Sequence, residues 1–492
     1  MGEEGKRGRG EEGNGAEWAW DWGSSTALGF AACRGTLRRM SALGPVAEPA
    51  VAAISPEKDA AAGAATGGVA RRLPPSATNF GVNMIGVLGV VVALYVLRQQ
   101  HASGFDSVLI LCAAGVVPIV VLDVLLLRVH RRSSTGIDWD RTPATDIARC
   151  ATKLLGLAVT IAPFALAYFT FPEYRGDFYN AFYNVLRRFG LSLVGLAIVY
   201  VWFVDGRMRE PYDAYWQLGR VALGRFSDAK KPEIANHFRG WLVKAFYLPL
   251  FIVFVNNQLN GLLTFNLGSL QASNLRLYDF SNDLIYGLDV LYATVGYVLS
   301  FRIIDTHLRS AEPTMLGWVV ALECYDPFWR GLFSRFYLHY EGLGFGAWLA
   351  GFPALRWGWA GMIVVLDCIY VLATFAFGVR FSNLTHRGIL TNGPYRFSKH
   401  PAYIAKNLSW WLISVPFLPY HGWADALRNS LALGGVNTIY FLRAKTEERH
   451  LSRDPTYVEY ALWMNEHGIL AFLGRWFPWL KYTAPAQARK MA

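Results

Sequence analysis

FGVNMIGVLGVVVALYVLRQQHASGFDSVLILCAAGVVPIVVLDVLLL, Phe80 to Leu127, holds two apolar runs, 80–97 and 107–127, separated by a short polar stretch. Each run is close to the ~20 residues that an α-helix needs to cross a hydrocarbon core about 30 Å thick. Runs of the same kind recur towards the C-terminus, at 151–171, 189–204, 241–264, 283–301, 357–378, 404–419 and 426–442. In lipid only helices or closed barrels satisfy the backbone, and these segments are too long and continuous for barrel strands. The expectation is an all-α, polytopic membrane protein with about nine or ten transmembrane helices.

Composition agrees with that reading. The 492-residue chain is 53% hydrophobic and only 17% charged, against about 25% charged in soluble domains, and its mean hydropathy is +0.24. A disordered, fibrous or highly soluble protein is excluded. The net charge of +11 suits nucleic acid or membrane loops equally until the charges are placed. They crowd the segments Arg128 to Lys153 and Arg207 to Arg239, while the loops near Arg98 and Arg276 are sparse. The excess therefore orients the chain with its N-terminus in the cytoplasm, and no nucleic-acid partner is implied. The five cysteines, Cys33, Cys112, Cys150, Cys324 and Cys368, form no CxxC pair and no zinc spacing.

Residues 1–75, rich in Gly, Ala, Arg and Glu, lack a periodic apolar pattern and are expected to be a disordered extension. Ala27 to Cys33 is a minimal match to a secretory core, and Met40 is an alternative start. Residues 80–310 would form an N-terminal transmembrane bundle, and 311–492 a second membrane domain. Six spans return Arg302 and Arg309 to the cytoplasm, so a further crossing within Thr314 to Phe352 is needed to bring His400 to that side. TMLGWVVALECY and FGAWLAGF are apolar but short, which suits a re-entrant or tilted piece.

The most specific stretch is GPYRFSKHPAYIAKNLSWW, Gly393 to Trp411, followed by RAKTEERHL, Arg443 to Leu451. Two helices of about 16 residues, broken at Pro416, Pro419, His421 and Gly422, would form a hairpin returning Arg443 to Glu448 to the level of His400. Arg443 and Glu447 are four apart and share a helix face, whereas Glu448 points about 100° away. Carboxylates here suit an ammonium group, and a guanidinium suits a carboxylate. Tyr395, Tyr403, Trp410 and Trp411 offer ring faces to a sulfonium or adenine. The plainer alternative is an Arg443–Glu447 pair with Glu448 solvated and the aromatics in an interface belt.

GPYRFSKHPAY, a helical hairpin, and R-x-x-x-E-E-x-x-L followed by Asp454, Tyr457 and Tyr460 resemble the isoprenylcysteine carboxyl methyltransferase family and the related phospholipid N-methyltransferases. The resemblance covers about the last 130 residues, from the span near 357. It implies an S-adenosylmethionine site at the cytoplasmic face, with a lipophilic acceptor entering from the bilayer. His400, Pro401 and Tyr403, with Tyr395, would line the cofactor site, and Glu447 and Glu448 would hold its amino-acid portion. Arg443 would lie between cofactor and acceptor, and Arg443 and His400 would be the catalytic residues. Two departures stand out. Asp454-Pro455 replaces the Phe-Gly of many relatives, and Ile404 to Asn407 replaces a small Gly, placing Lys406 and Asn407 at the start of a membrane helix as functional or snorkelling groups.

Polar residues also fall at membrane depth elsewhere: Asp123, Asn256, Asn257, Gln258, Asn260, Asp289 and Asp367. Each suits a cavity or an interhelical hydrogen bond. FRIIDTHLRSAEPT, Phe301 to Thr314, is a head-group or lid segment, or a charged interfacial loop. GxGxxG after a strand, Walker, HExxH and GxSxG motifs are absent. The function expected is methyl transfer to a prenylcysteine-like carboxylate or a lipid head group. Its rivals are a sterol-type reductase using NADPH and a non-catalytic transporter or scaffold. The acceptor, the oligomeric state, and the choice between bacterial inner membrane and endoplasmic reticulum stay open.

Overall fold

The computed structural model describes residues 72–271, 274–329, 331 and 344–485, with the side chains of 271, 274 and 275 left aside. All but Arg72 belong to one compact unit, Leu73–Ala492. The extension expected over 1–75 lies outside the described residues as far as residue 71.

The chain is an all-α polytopic membrane protein. Its helices are α1 (Phe80–Gln99), α2 (Phe105–Leu125), α3 (Ile147–Thr170), α4 (Asn180–Asp205), α5 (Ala214–Ala222), α6 (Lys231–Thr264) and α7 (Asn274–Val298). They are followed by α8 (Met315–Leu322), α9 (Gly344–Trp348), α10 (Pro353–Phe377), α11 (Pro401–Ser414), α12 (Trp423–Leu451), α13 (Pro455–His467) and α14 (Leu473–Trp476). Six of them, α1, α2, α3, α4, α6 and α10, are long and apolar enough to cross a membrane. The other expected spans, 283–301, 404–419 and 426–442, are helical as α7, α11 and α12 but shorter or more polar. α11 stops early because Val415, left-handed at φ 37, precedes Pro416, which disfavours helical backbone in the residue before it.

Helices approach closely where small residues meet backbone. Gly86 and Gly89 of α1 lie against the Gly115 and Ala114 carbonyls of α2, and Gly156 of α3 and Gly219 of α5 each face the other helix's backbone. Val90, Leu111, Ile119, Leu259, Leu291 and Tyr292 centre the main core, shared by α1, α2, α6, α7 and α10. Helix ends inside the bundle need partners for their free carbonyls. Asn83 donates to Phe375 O and Ala376 O of α10 at 2.8 and 3.2 Å. Arg387 serves the end of α7, donating to Gly296 O and Leu299 O at 2.6 Å each.

The segment Phe301 to Thr314 is a structural clasp. The buried Asp305 carboxylate accepts from Ser134 at 2.8 Å and Arg380 at 3.1 Å, with Arg309 and Arg132 at 3.5 and 3.6 Å. Burial opposes its ionisation, but the Arg380 and Arg309 charges outweigh that and hold it below the usual carboxylate range. β1 (Ser310–Ala311) pairs antiparallel with β2 (Thr385–His386). Next to it, Ser310 Oγ lies 2.9 Å from His450 Nε2, pinning the end of α12 to β1. Burial, then the neighbouring His386, Arg453 and Arg239, push His450 down to about 3, so it stays neutral at physiological pH.

From this layer the chain descends beside α11 and α12. Glu312 is near His450, Tyr325 faces Arg443, Trp329 stacks on Trp410, and Phe345 and Trp348 pack with Trp359, Leu412 and Val415. α10, rising about 37 Å, then climbs back to β2. Among its described residues, the piece expected to cross within Thr314 to Phe352 contains the short helices α8 and α9, and neither spans the core by itself. Residues 330 and 332–343 lie outside the described residues.

The Asn256 to Asn260 cluster is engaged in ordinary packing. Asn260 Oδ1 accepts from Gly104 N at 2.7 Å, and Gln258 Nε2 donates to the Asp283 carboxylate at 3.2 Å.

Candidate functional site

The hairpin of α11 and α12 brings the two C-terminal motifs together. His400 is the residue before α11, and Pro401 opens that helix, where its missing N–H costs nothing. The preceding turn is fixed from α13, whose Tyr460 hydroxyl donates to Tyr395 O at 2.6 Å and Ser398 O at 3.2 Å. α12 is 29 residues long and rises about 43 Å, so its last turns carry Arg443, Glu447 and Glu448 past the apolar body of the bundle.

Tyr403 and Glu447 are joined directly, the phenol donating to Glu447 Oε2 at 2.9 Å. The His400 ring is stacked parallel to Tyr403, with centroids 5.6 Å apart. Glu448 is not solvated. It is 5% exposed and lies within 2.6 Å of Lys399 Nζ, 3.0 Å of Lys445 Nζ and 3.3 Å of His400 Nε2. Burial would raise its pKa, but the hydrogen bond and charge of His400 and the charge of Lys399 hold it well below the ordinary range. Burial pushes Lys399 down, against the pull of Glu448.

Arg443 does not pair with Glu447. Its guanidinium donates to Asn383 Oδ1 at 2.6 Å and otherwise meets the rings of Tyr403, Tyr325 and Tyr440 at 5.3, 5.8 and 6.0 Å. Asn383 is itself held from below, donating to Tyr297 Oη at 2.8 Å and Tyr325 Oη at 3.1 Å. Among the described residues no carboxylate lies within ion-pair distance of Arg443, although the residue is only 9% exposed.

The tryptophans are not in a surface belt. Trp410 is buried against Tyr440, and Trp411 Nε1 donates to Asn437 Oδ1 at 2.8 Å. Asn437 in turn donates to Asn407 at 2.5 Å, so Asn407 ties α11 to α12. Tyr395 packs edge-on against Phe377, its ring centroid 5.6 Å away. His400, Tyr403, Arg443, Glu447 and Glu448 therefore share one cluster, with Pro401 and Tyr395 as its frame.

Sequence reasoning missed Asn383, Tyr297, Tyr325, Lys399 and Lys445 as members. Lys445, three residues from Glu448, and Lys399, next to His400 in the quoted run, carried a local signal. Comparison of the chain with protein-family models, with curated proteins and with solved structures finds no match in any of the three.

Proposed function

We propose that the chain is an integral membrane methyltransferase moving the sulfonium methyl of S-adenosylmethionine to a lipophilic acceptor with an anionic nucleophile, a prenylcysteine-like carboxylate or the head group of a lipid. The observation that carries this reading is Arg443, a buried cation that donates to a neutral amide and, among the described residues, meets no carboxylate. A buried charge without a counter-charge is costly, and an anionic ligand supplies one. The resemblance of the two motifs to the isoprenylcysteine carboxyl methyltransferase family points the same way.

The residues present fit the cofactor. Glu447 uses one oxygen for Tyr403 and keeps lone pairs for an ammonium group. His400 and Tyr403 offer parallel ring faces, and Lys399 and Lys445 suit a carboxylate. When bound, S-adenosylmethionine supplies an electrophilic methyl with a neutral thioether as leaving group. Displacement forms the acceptor O–CH3 bond as the S–CH3 bond breaks, and its electron pair goes to sulfur. No proton moves when the acceptor is a carboxylate, so the protein's work is to hold the nucleophile at Arg443 and to keep water out. The positive-inside rule applied to the basic segments supports a cluster facing the cytoplasm, in the bacterial inner membrane or the endoplasmic reticulum.

A second reading, a reductase using NADPH, draws on Lys399, His400 and Lys445 around Glu448, a basic cluster able to take a phosphate. Thermal-shift titration of the full chain with S-adenosylmethionine and with NADPH separates the two. Stabilisation by S-adenosylmethionine alone, followed by label transfer from methyl-labelled cofactor to lipid or protein, supports methyl transfer. Stabilisation by NADPH alone overturns it.

A further inference from the structure

Where the start of α1 meets the C-terminal ends of α2, α7 and α10, three guanidiniums converge on one carboxylate. Arg380 Nη2, Arg309 Nη2 and Arg132 Nη1 lie 3.1, 3.5 and 3.6 Å from the Asp305 oxygens. Arg302 adds a fourth charge beside His307, and the second acid within electrostatic reach is Asp123 on α2. Cations outnumber carboxylates even with both acids ionised. The Arg443 cluster uses none of these residues, so the excess is independent of the methyl-transfer reading.

Asp305 cannot serve every donor. Its carboxylate also accepts from Ser134 at 2.8 Å. Arg309 Nε, Arg380 Nε and His307 Nδ1 are buried without a hydrogen-bond partner among the described residues. Burial first, then the Arg302, Arg309 and Arg380 charges, push His307 down to about 3 against the opposing pull of Asp305. The imidazole is therefore neutral, and its Nδ1 can carry a proton to donate. Backbone meets part of the demand: Arg132 Nη1 donates to Ala77 O at 2.7 Å, and Arg380 Nη1 to Arg387 O at 3.1 Å. Carbonyls satisfy N–H groups but bring no net charge. Arg309 and Arg380 also face bare backbone at Gly388, where φ is +112 and a Cβ would stand 3.7 Å from each guanidinium.

Two of the guanidiniums are reachable from outside. The Arg380 side chain is 2% exposed, whereas those of Arg132 and Arg309 are 31% and 27% exposed. They stand at the ends of apolar helices, the level of lipid head groups, where basic pockets between helices take phosphate. A guanidinium fork matches two phosphate oxygens, and a phosphate keeps further oxygens for a second fork.

We propose that Arg132 and Arg309, backed by Arg380, bind a phosphate group that supplies the missing negative charge. Bound there, it ties the loop after α2 to the loop after α7 and steadies the clasp around Asp305. A phosphomonoester lipid head group and free phosphate share this chemistry.

The test uses the full chain in phosphatidylcholine nanodiscs and three probes: dioctanoyl phosphatidic acid, dioctanoylglycerol and inorganic phosphate. The first two differ only by the phosphate. If the source is a lipid, wild type should bind phosphatidic acid about tenfold or more tighter than dioctanoylglycerol, with inorganic phosphate competing only at large excess. If the source is free phosphate, inorganic phosphate should bind with an affinity similar to that of phosphatidic acid. Arg132→Gln with Arg309→Gln should weaken the preferred probe about tenfold or more. Arg128→Gln with Arg131→Gln removes the same charge from exposed neighbours and should leave it within about twofold. A wild type that binds neither phosphate probe above dioctanoylglycerol overturns the proposal. So does equal weakening in the two double variants, which would mean diffuse attraction to a basic surface. Should the first double variant fail to fold, Arg309→Lys keeps the charge and loses the fork. It should weaken the preferred probe about threefold or more, and unchanged affinity there also overturns the proposal.

Discussion

The Tyr403 hydroxyl donates to Glu447 Oε2 at 2.9 Å, joining the first turn of α11 to the last turns of α12 across a separation of 44 residues. The bond leaves Glu447 half-buried and with unused acceptor capacity, in contrast to the buried Glu448 beside it. Glu447→Ala should therefore remove S-adenosylmethionine binding with little loss of folded protein. Tyr403→Phe deletes only the hydroxyl and should weaken binding several-fold, with a stability cost of about 1 kcal/mol. Isothermal titration of both variants checks this, and unchanged cofactor affinity in Glu447→Ala would count against the site.

In the proposed site, Arg443 would lie between cofactor and acceptor. Arg443→Met keeps the length and the packing against Tyr403 and Tyr440 while removing the charge. Loss of a buried charge partner costs about 2–5 kcal/mol, so the kcat/KM for an anionic acceptor should fall by about two orders of magnitude or more while cofactor affinity changes little. Equal losses in both would make Arg443 a structural residue.

Glu448 predicts a pH dependence whose sign follows from its depressed pKa. Its ionised form is favoured in the folded protein, so the stabilisation is fully present above the unfolded glutamate value of about 4.3 and is lost as pH falls towards the folded value. Glu448→Gln should lower stability at neutral pH, because Lys399 and Lys445 lose their counter-charge, and should flatten the stability profile below about pH 4.3. Thermal unfolding in detergent across that range is the measurement. A parallel loss in wild type and variant would exclude Glu448 as the source.

Much of the fold was legible because a membrane span is set by length and apolarity, which are local properties. α1, α2 and α10 begin and end within a few residues of the expected limits. α6 runs ten residues further upstream than expected, starting at Lys231, because its polar first turns pack on α5 and β1 instead of on lipid. The site was half legible. The motifs marked α11 and α12, and the hairpin geometry followed from helix lengths. The partners did not, because Asn383 reaches Arg443 across 60 positions and Tyr325 across a broken descent, where no periodicity links them. The i,i+4 spacing of Arg443 and Glu447 put both on one face yet could not say that each turns to a different neighbour.

Asp305 tests the clasp that sets the level of the site. It is 1% exposed and takes hydrogen bonds from Ser134 and Arg380, with Arg309 and Arg132 close by. Arg380 is 2% exposed and lacks another carboxylate partner among the described residues. Asp305→Ala leaves that guanidinium buried and unpaired, which costs about 3–5 kcal/mol. The expected outcome is a large drop in melting temperature and loss of cofactor binding together, since β2 and the Asn383 loop lie directly after Arg380. Arg380→Met in the same background removes the stranded charge and should recover part of the stability. Double-mutant analysis of thermal unfolding measures the coupling, and strict additivity would show that the two residues do not act as a buried pair.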